Sequence, residues 1–166
     1  AGRRYTLLSE EAPVAEKPVR LLNKPIVLAS GGARGVTART LIELAKDTGA
    51  RVALLGRTAL TDEPVVTVGI EDDAGLKRAL LGLAQQRGEK LTPVELGRRV
   101  SRILANREIN HTIEAIRAAG GDAAYYAVDV TDRVGVAGVV AIVEQTWGPV
   151  TGIVHGAGVL ADKLIA

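Results

Sequence analysis

The fold of this chain is decided by the stretch IVLASGGARGVTARTLIELAKDTG, residues 26–49. Its opening residues, 26–29, form a short apolar run that is typical of a buried β-strand. A turn rich in glycine follows at residues 30–35, and the apolar spacing of residues 36–47 predicts a helix that Gly49 would end. We therefore expect a strand, a glycine turn and a helix in direct succession.

The rest of the chain continues this alternation of strands and helices. Apolar runs predict further strands at residues 51–55, 123–128 and 151–155, and a helix that ends near Trp147 lies between the last two. Either Thr131 or Asp132 is placed to cap that helix. Strands that alternate with helices predict a Rossmann-like α/β fold, with a parallel sheet, flanking helices and right-handed crossovers. About four strands are present, so we expect the fold to be incomplete.

The segment 58–121 is longer than an ordinary connection between a strand and a helix. It contains one predicted helix at about residues 74–87 and a second that begins with a capping box at Thr92-Pro93-Val94-Glu95 and continues to Gly120. Part of this segment must be the regular crossover helix. We interpret the remainder as a helical insertion that serves packing or docking.

Residues 1–24 contain prolines and little periodicity, so we interpret them as a linker or the tail of a preceding domain, with a short extended piece at residues 4–8. Residues 25–166 then form the nucleotide-binding portion.

Composition narrows the function classes. Apolar residues are 47% and charged residues 24% of the 166, which is typical of a soluble globular domain. With 2% aromatic residues and no Phe or Met, the core must be aliphatic, as suits strands covered on both faces. There is no cysteine, which excludes disulfide and thiolate chemistry.

Charge and hydropathy argue against several partners. The net charge is +2 and the arginines are scattered, so we expect no nucleic-acid partner. No apolar run is long enough to cross a bilayer, so we expect no membrane partner and a cytoplasmic location. The two histidines, His111 and His155, are far apart in the sequence and predict no metal site.

The glycine turn is a candidate phosphate site. Its backbone N–H groups and the N-terminus of the following helix can bind an anion, and Gly31 and Gly35 leave room for the ligand. The turn is not a P-loop, because no Gly-Lys-Ser/Thr sequence follows. The same residues are also consistent with a simple tight turn.

The residues at the end of the second strand favour a phosphate ligand. In a dinucleotide fold an acid at this position binds the ribose 2′-hydroxyl, whereas an arginine accommodates a 2′-phosphate. Here Gly56 and Arg57 occupy the position, and Arg34 lies within the glycine turn. The two guanidinium groups could bind the same phosphate. The alternative is that both are solvated surface side chains.

Four segments together resemble one known family. They are SGGARGVT at 30–37, LGR at 55–57, DVTD at 129–132 and HGAGVL at 155–160. In this order the segments resemble the short-chain dehydrogenase/reductase family, and within it the ketoreductase domains of type I polyketide synthases, particularly those of polyunsaturated fatty acid and enediyne type. The resemblance covers roughly residues 25–166.

The resemblance implies an activity and a cofactor. Such domains reduce a β-ketoacyl thioester, carried on an acyl carrier protein, to a β-hydroxyacyl thioester at the expense of NADPH. The chain would bind NADP(H) with the residues that match the family's motifs: Ser30, Gly31, Gly32, Ala33, Arg34, Gly35, Val36, Gly56, Arg57, Asp129, Val130, His155, Gly156, Ala157 and Gly158.

Individual roles are also implied by the resemblance. Arg57 matches the residue that binds the 2′-phosphate, and Asp129 with Val130 matches the pair that holds the adenine ring. The last glycine of the family's turn is replaced here by Thr37. We expect His155 to be a packed residue at a strand end rather than a proton carrier.

The catalytic residues of the family find no match. Its chemistry needs a tyrosine acid, a serine and a lysine, yet neither Tyr5, Tyr125 nor Tyr126 has a lysine four residues later, and the last serine is Ser101. We therefore expect the catalytic residues to belong to the remainder of the ketoreductase domain. Residues 160–162 depart from the family's Leu-Asp-Asp signature at Ala161, so no stereochemistry is predicted, and Lys163 is interpreted as a surface charge.

Two further expectations follow from this assignment. A chain with its fourth strand at an unpaired edge would be poorly stable or oligomeric as an isolated piece. Two alternative functions also stay open: a non-catalytic structural Rossmann half, and a nucleotide-binding module.

Overall fold

In the computed structural model, which describes residues 22–158 together with Thr6, Leu8 and Glu10, four strands form one parallel sheet. They are β1 (Ile26–Ser30), β2 (Arg51–Gly56), β3 (Asp122–Ala127) and β4 (Gly152–His155). Their spatial order is β3-β2-β1-β4, so the chain winds outward from β1 first in one direction and then in the other. The predicted Rossmann-like α/β fold is confirmed.

The helices begin and end where the sequence places caps. They are α1 (Gly35–Thr48), α2 (Asp73–Gln86), α3 (Pro93–Ala118) and α4 (Arg133–Trp147). Gly49 ends α1 at a φ of 67°. The capping box at the start of α3 is present, with Thr92 N donating to Glu95 Oε2 at 2.8 Å. Asp132 caps α4 by accepting from Val134 N and Gly135 N, both at 3.1 Å, which decides between the two predicted caps.

The sheet is covered on both faces by aliphatic side chains. On one face, α1 and α3 pack against β1, β2 and β3, and this cluster includes Leu41, Leu54, Ile109 and Ile116. On the other face, α4 packs through Val139 and Val143 against Ile26, Ala53 and Leu55. The strands β1, β2 and β3 therefore send alternate residues into opposite layers, as buried parallel strands do.

The segment between β2 and β3 contains both a crossover and an additional helix. The C-terminal half of α3 joins the sheet core, whereas its N-terminal half packs with α2 in a separate cluster of Leu76, Leu80, Leu96, Val100 and Ile103. One long helix thus serves as the regular crossover and as the support for the additional helix α2.

Two sequence-based expectations concern residues that the structure does not describe. The extended piece predicted at residues 4–8 falls largely outside the described residues, as do Leu160, Ala161, Asp162 and Lys163. Among the helices that the structure describes, none combines the length and the apolar character that a membrane crossing needs.

Candidate functional site

A cleft of about 940 Å³ lies at the carboxyl ends of the four strands. Its walls come from the turn after β1, the loops after β2, β3 and β4, and one side of α3. All of the predicted site residues line it except Ser30, Gly32, Val36 and His155. In an open parallel sheet this is where ligands bind, at the point where the strand order reverses, which here is between β1 and β4.

The turn after β1 and the loop after β4 touch at Gly31. Gly31 has a φ of +66°, and a Cβ atom on it would stand 2.6 Å from the backbone nitrogen of Ala157. Its own N–H donates to the Leu55 carbonyl at 2.9 Å, which ties the turn to the end of β2. Only glycine permits this approach, so Gly31 brings three strand ends together at the floor of the cleft.

Three of the predicted site residues, Ser30, Gly32 and Val36, lie close to the cleft but do not line it. A Cβ on Gly32 would stand 2.6 Å from Leu41 Cδ1, so Gly32 lets α1 pack closely on the sheet. Ser30 is buried and its Oγ lies 2.6 Å from His155 Nδ1. Val36 is 82% exposed on the first turn of α1. Ser30 and Gly32 thus support the residues that line the cleft without lining it themselves.

The N-terminus of α1 is open to the cleft. Gly35 begins the helix at a φ of +64°, and no atom lies within 4 Å of a Cβ built on it. Arg34 occupies the N-cap position and makes no side-chain capping bond, and the first turn contains no acidic residue. The first N–H groups of α1 therefore lack side-chain acceptors, and their partial positive charge favours an anion.

Two arginines flank this helix end. Arg34 Nη1 lies 3.5 Å from Glu108 Oε2, and both side chains are more than half exposed, so the pair is weak. Arg57 lies across the cleft after β2 and forms no ion pair with any residue that the structure describes. The cleft thus presents two cationic side chains beside the helix N-terminus.

One acidic residue of the cleft, Asp129, is held in its charged form. Asp129 Oδ1 accepts from Thr131 N at 2.9 Å and from Thr131 Oγ1 at 2.8 Å. The backbone hydrogen bond from Thr131 lowers the pKa of Asp129, the hydroxyl lowers it further, and Arg57 contributes a smaller electrostatic effect. Asp129 is therefore an ionised hydrogen-bond acceptor next to Val130.

The expectation for His155 is wrong in one respect. His155 does lie at the strand end and contacts Ser30, but it is exposed rather than packed. The reason is that β4 lies at an edge of the sheet formed by the described residues. The following residue, Gly156, is also exposed, but a Cβ on it would stand 2.6 Å from Thr37 Oγ1. Thr37, which replaces the family's last turn glycine, therefore lies against the loop after β4.

Sequence reasoning missed several residues of the cleft. Glu108 and Ile109 reach it from α3, and Tyr125 reaches it from β3. The Tyr125 hydroxyl donates to the Thr58 carbonyl at 2.8 Å, and burial raises the pKa of this tyrosine. No sequence signal places α3 beside the glycine turn. Across residues 22–158, no three His, Asp or Glu side chains are grouped as a metal site.

Comparison with known proteins places this geometry in a family. The KR domain model matches residues 26–166. A polyunsaturated fatty acid synthase polypeptide of a Thraustochytrium species is 38% identical over 157 residues, which covers 89% of this chain and 6% of that protein. The hybrid PKS-NRPS synthetase fsa1 of a Fusarium species is 32% identical over 163 residues, or 90% of this chain and 4% of that protein.

Solved structures agree on the fold. The N-terminal ketoreductase of the macrolactin assembly line superimposes with a TM-score of 0.58 at 19% identity, over 90% of this chain and 21% of that one. The chain therefore spans a small fraction of the proteins that it matches.

Proposed function

This chain belongs to the KR domain family, and from that premise we propose that its cleft binds NADP(H) as the cofactor-binding portion of an NADPH-dependent ketoreductase. The observation that carries the proposal is the meeting of a glycine turn, an uncapped helix N-terminus and two arginines at the carboxyl ends of β1 and β2. A pyrophosphate and a 2′-phosphate are the anions that such donors recognise.

The residues present fit a dinucleotide phosphate. The cleft volume of about 940 Å³ lies within the range of cofactor sites. Open space above Gly35 lets a ligand approach the backbone amides at the N-terminus of α1. The second strand is followed by Arg57 rather than by an acid, which favours a phosphorylated ribose over a free 2′-hydroxyl.

Each wall of the cleft has a separate role in this proposal. The amides of residues 33–35 would hold the pyrophosphate, and Arg57 with Arg34 would hold the 2′-phosphate. The Asp129 carboxylate and the Val130 backbone would hold the adenine ring. Gly156–Gly158 would line the nicotinamide ribose. The bound cofactor would supply a hydride, and this chain's residues bind and orient it.

A comparison of two arginine variants tests the cofactor assignment. In the full-length natural protein, Arg57→Ala should weaken NADP binding roughly 10- to 100-fold, as expected for the loss of charge-assisted hydrogen bonds. Binding of NAD should change little. Arg39→Ala, at an exposed position on α1 outside the cleft, is the matched control. Equal effects of Arg57→Ala on NADP and NAD would show that Arg57 does not bind the phosphate.

The reaction that we propose for the parent protein is the reduction of a β-ketoacyl thioester, carried on an acyl carrier protein, to the β-hydroxyacyl thioester. The similarity to a polyunsaturated fatty acid synthase supports this substrate class. The test is the consumption of NADPH by the full-length protein with a β-ketoacyl thioester. Nucleotide binding without any such consumption would favour the alternative roles, a structural Rossmann half or a nucleotide-binding module.

A further inference from the structure

A second cavity, of about 540 Å³, adjoins the cleft on the side of the inserted helices. Arg34, Arg57 and Thr58 line both cavities, so the two spaces meet at these residues. The other wall of the second cavity is α3, through Ser101, Arg102 and Ala105. The cavity thus lies between the end of β2 and a helix to which sequence reasoning assigned no chemistry.

The lining of this cavity is cationic. It contains three arginines, two hydroxyl side chains and no carboxylate. Neither Arg57 nor Arg102 forms an ion pair within residues 22–158, and the pair between Arg34 and Glu108 is long and exposed. Three cations that share one concave space repel each other unless an anion neutralises them. A phosphate monoester, with a charge near −2 and three acceptor oxygens, has the matching chemistry.

The position of α3 relative to the cleft is set by hydrogen bonds from two residues on the C-terminal side of Arg102. Thr112 Oγ1 donates to the Ala33 carbonyl at 2.8 Å, which ties the helix to the glycine turn. Asn106 Nδ2 donates to the carbonyl and hydroxyl oxygens of Thr61, each at 3.1 Å, which ties it to the loop after β2. Ile103 and Ile109 are buried in the adjoining clusters. The register that places Arg102 in the cavity is therefore determined.

We propose that Arg102, assisted by the Ser101 hydroxyl, binds the 2′-phosphate together with Arg57 and Arg34. This inference rests on the proposed NADP(H) function and adds that preference for the phosphorylated cofactor depends on α3 as well as on the end of β2. Arg102 is a specificity-determining residue that the motifs of the strand ends do not reveal.

The test separates the 2′-phosphate from the rest of the ligand. Binding of 2′,5′-ADP and of 5′-AMP, which differ only in the 2′-phosphate, is measured on the full-length natural protein and on the variant Arg102→Ala. We expect the dissociation constant for 2′,5′-ADP to rise roughly tenfold, the loss of one charge-assisted hydrogen bond, while that for 5′-AMP stays unchanged. Arg102→Lys should recover part of the affinity, because lysine keeps the charge but not the planar fork.

The matched control is Arg98→Ala. Arg98 is exposed one turn earlier on the same helix and lines neither cavity, so both affinities should stay at the wild-type values. Equal losses for 2′,5′-ADP and 5′-AMP in Arg102→Ala would mean a structural role and would overturn the inference.

The variant Arg57→Ala distinguishes the two proposals. If Arg57→Ala loses 2′,5′-ADP affinity and Arg102→Ala does not, the cofactor assignment stands and the role of Arg102 is wrong. If the wild-type protein binds 2′,5′-ADP no better than 5′-AMP, the assignment of a 2′-phosphate fails and this inference fails with it.

Discussion

The backbone of Gly31 lies against that of Ala157, so closely that a Cβ atom on Gly31 would stand 2.6 Å from the Ala157 nitrogen and 2.7 Å from its Cα. The two residues are far apart in the sequence and meet because β1 and β4 are parallel neighbours, with Ser30 opposite His155. The contact closes the floor of the cleft between the strands where the chain reverses its direction of winding.

Substitution of Gly31 should therefore open the floor of the cleft. In Gly31→Ala the new methyl group meets backbone atoms that cannot rotate away, and the positive φ adds strain, so we expect a destabilisation of roughly 2–5 kcal/mol. Hydrogen exchange of peptides that cover β1 and β4 in the full-length protein measures it. Gly35→Ala, with a similar φ but open space around the Cβ, is the control and should lose about 1–2 kcal/mol. Similar exchange in both variants would contradict the steric argument.

The adenine end of the cleft should respond to pH through Asp129. Its folded-state pKa is lowered by the Thr131 backbone N–H and hydroxyl, so the carboxylate stays charged as the pH falls to about 3.9, the usual value for aspartate, and below. We expect the contribution of Asp129 to ADP affinity to be constant above that pH and to be lost only at lower pH. In Thr131→Val the loss should begin at a higher pH, since one donor is removed.

Asp129→Asn provides the control for this titration. It should weaken ADP binding roughly 3- to 10-fold, because a charged acceptor becomes neutral. The titration of residue 129 should then no longer contribute to the pH dependence of the remaining affinity. The measurement is ADP binding at a series of pH values at which circular dichroism shows the protein folded. An unchanged ADP affinity in Asp129→Asn would remove Asp129 from the adenine site.

The loop that connects β2 to α2 contains one ion pair with α3, between Glu63 and Arg107. Arg107 Nε donates to Glu63 Oε2 at 3.0 Å, and Arg107 also donates to the carbonyls of Thr67 and Ile70 at 2.8 and 2.6 Å. The hydrogen bond from Arg107 lowers the pKa of Glu63. Because the folded pKa is below the unfolded one, this stability is present above the ordinary glutamate pKa of about 4.3 and is lost as the pH falls through the folded value.

Glu63→Gln should therefore lower the free energy of local opening of residues 61–70 by about 1–3 kcal/mol at pH 7. The difference from wild type should shrink in acid. Hydrogen exchange of that segment at pH 7 and at low pH measures both effects. Glu89→Gln, which breaks the more exposed pair with Arg99, is the control and should have an effect below about 1 kcal/mol. An equal effect of the two substitutions would mean that the Glu63 pair has no special role.

The edge strand β4 should drive association of the polypeptide of residues 1–166. Ile153 is 75% exposed, and β4 pairs only with β1 among the strands that the structure describes. An apolar edge strand invites pairing with another chain. We expect concentration-dependent oligomers in light scattering and less association in Ile153→Lys. Val134→Lys, at an 83% exposed position on α4 away from the strand edge, should reduce association less. A monodisperse wild-type monomer would contradict this prediction.

Local patterns were sufficient to predict the elements of this fold. The apolar runs, Gly49, the Thr92 capping box and the glycines after each helix placed the strand and helix ends to within one or two residues. The Gly56-Arg57 pair and the DVTD segment likewise marked the loops that line the cleft. These features could be predicted because turns, caps and strand alternation depend on neighbours that are close in the sequence.

The surroundings of those residues could not be predicted in the same way. The exposure of His155 follows from the position of β4 at an edge of the described sheet, and the contact of Thr37 with Gly156 follows from the packing of α1 beside the loop after β4. The positions of Glu108 in the cleft and of Arg102 in the second cavity depend on how α3 crosses the sheet.

The sequence by itself thus determined the order of strands and helices, the glycine turn and the arginine that follows β2. Only the tertiary structure decided that Ala157 would close on Gly31 and that Arg102 would share a cavity with Arg57. The physical reason is that periodicity specifies which face of a helix is apolar, while the helix register over a sheet is set by long-range packing and by hydrogen bonds such as that from Thr112 to Ala33.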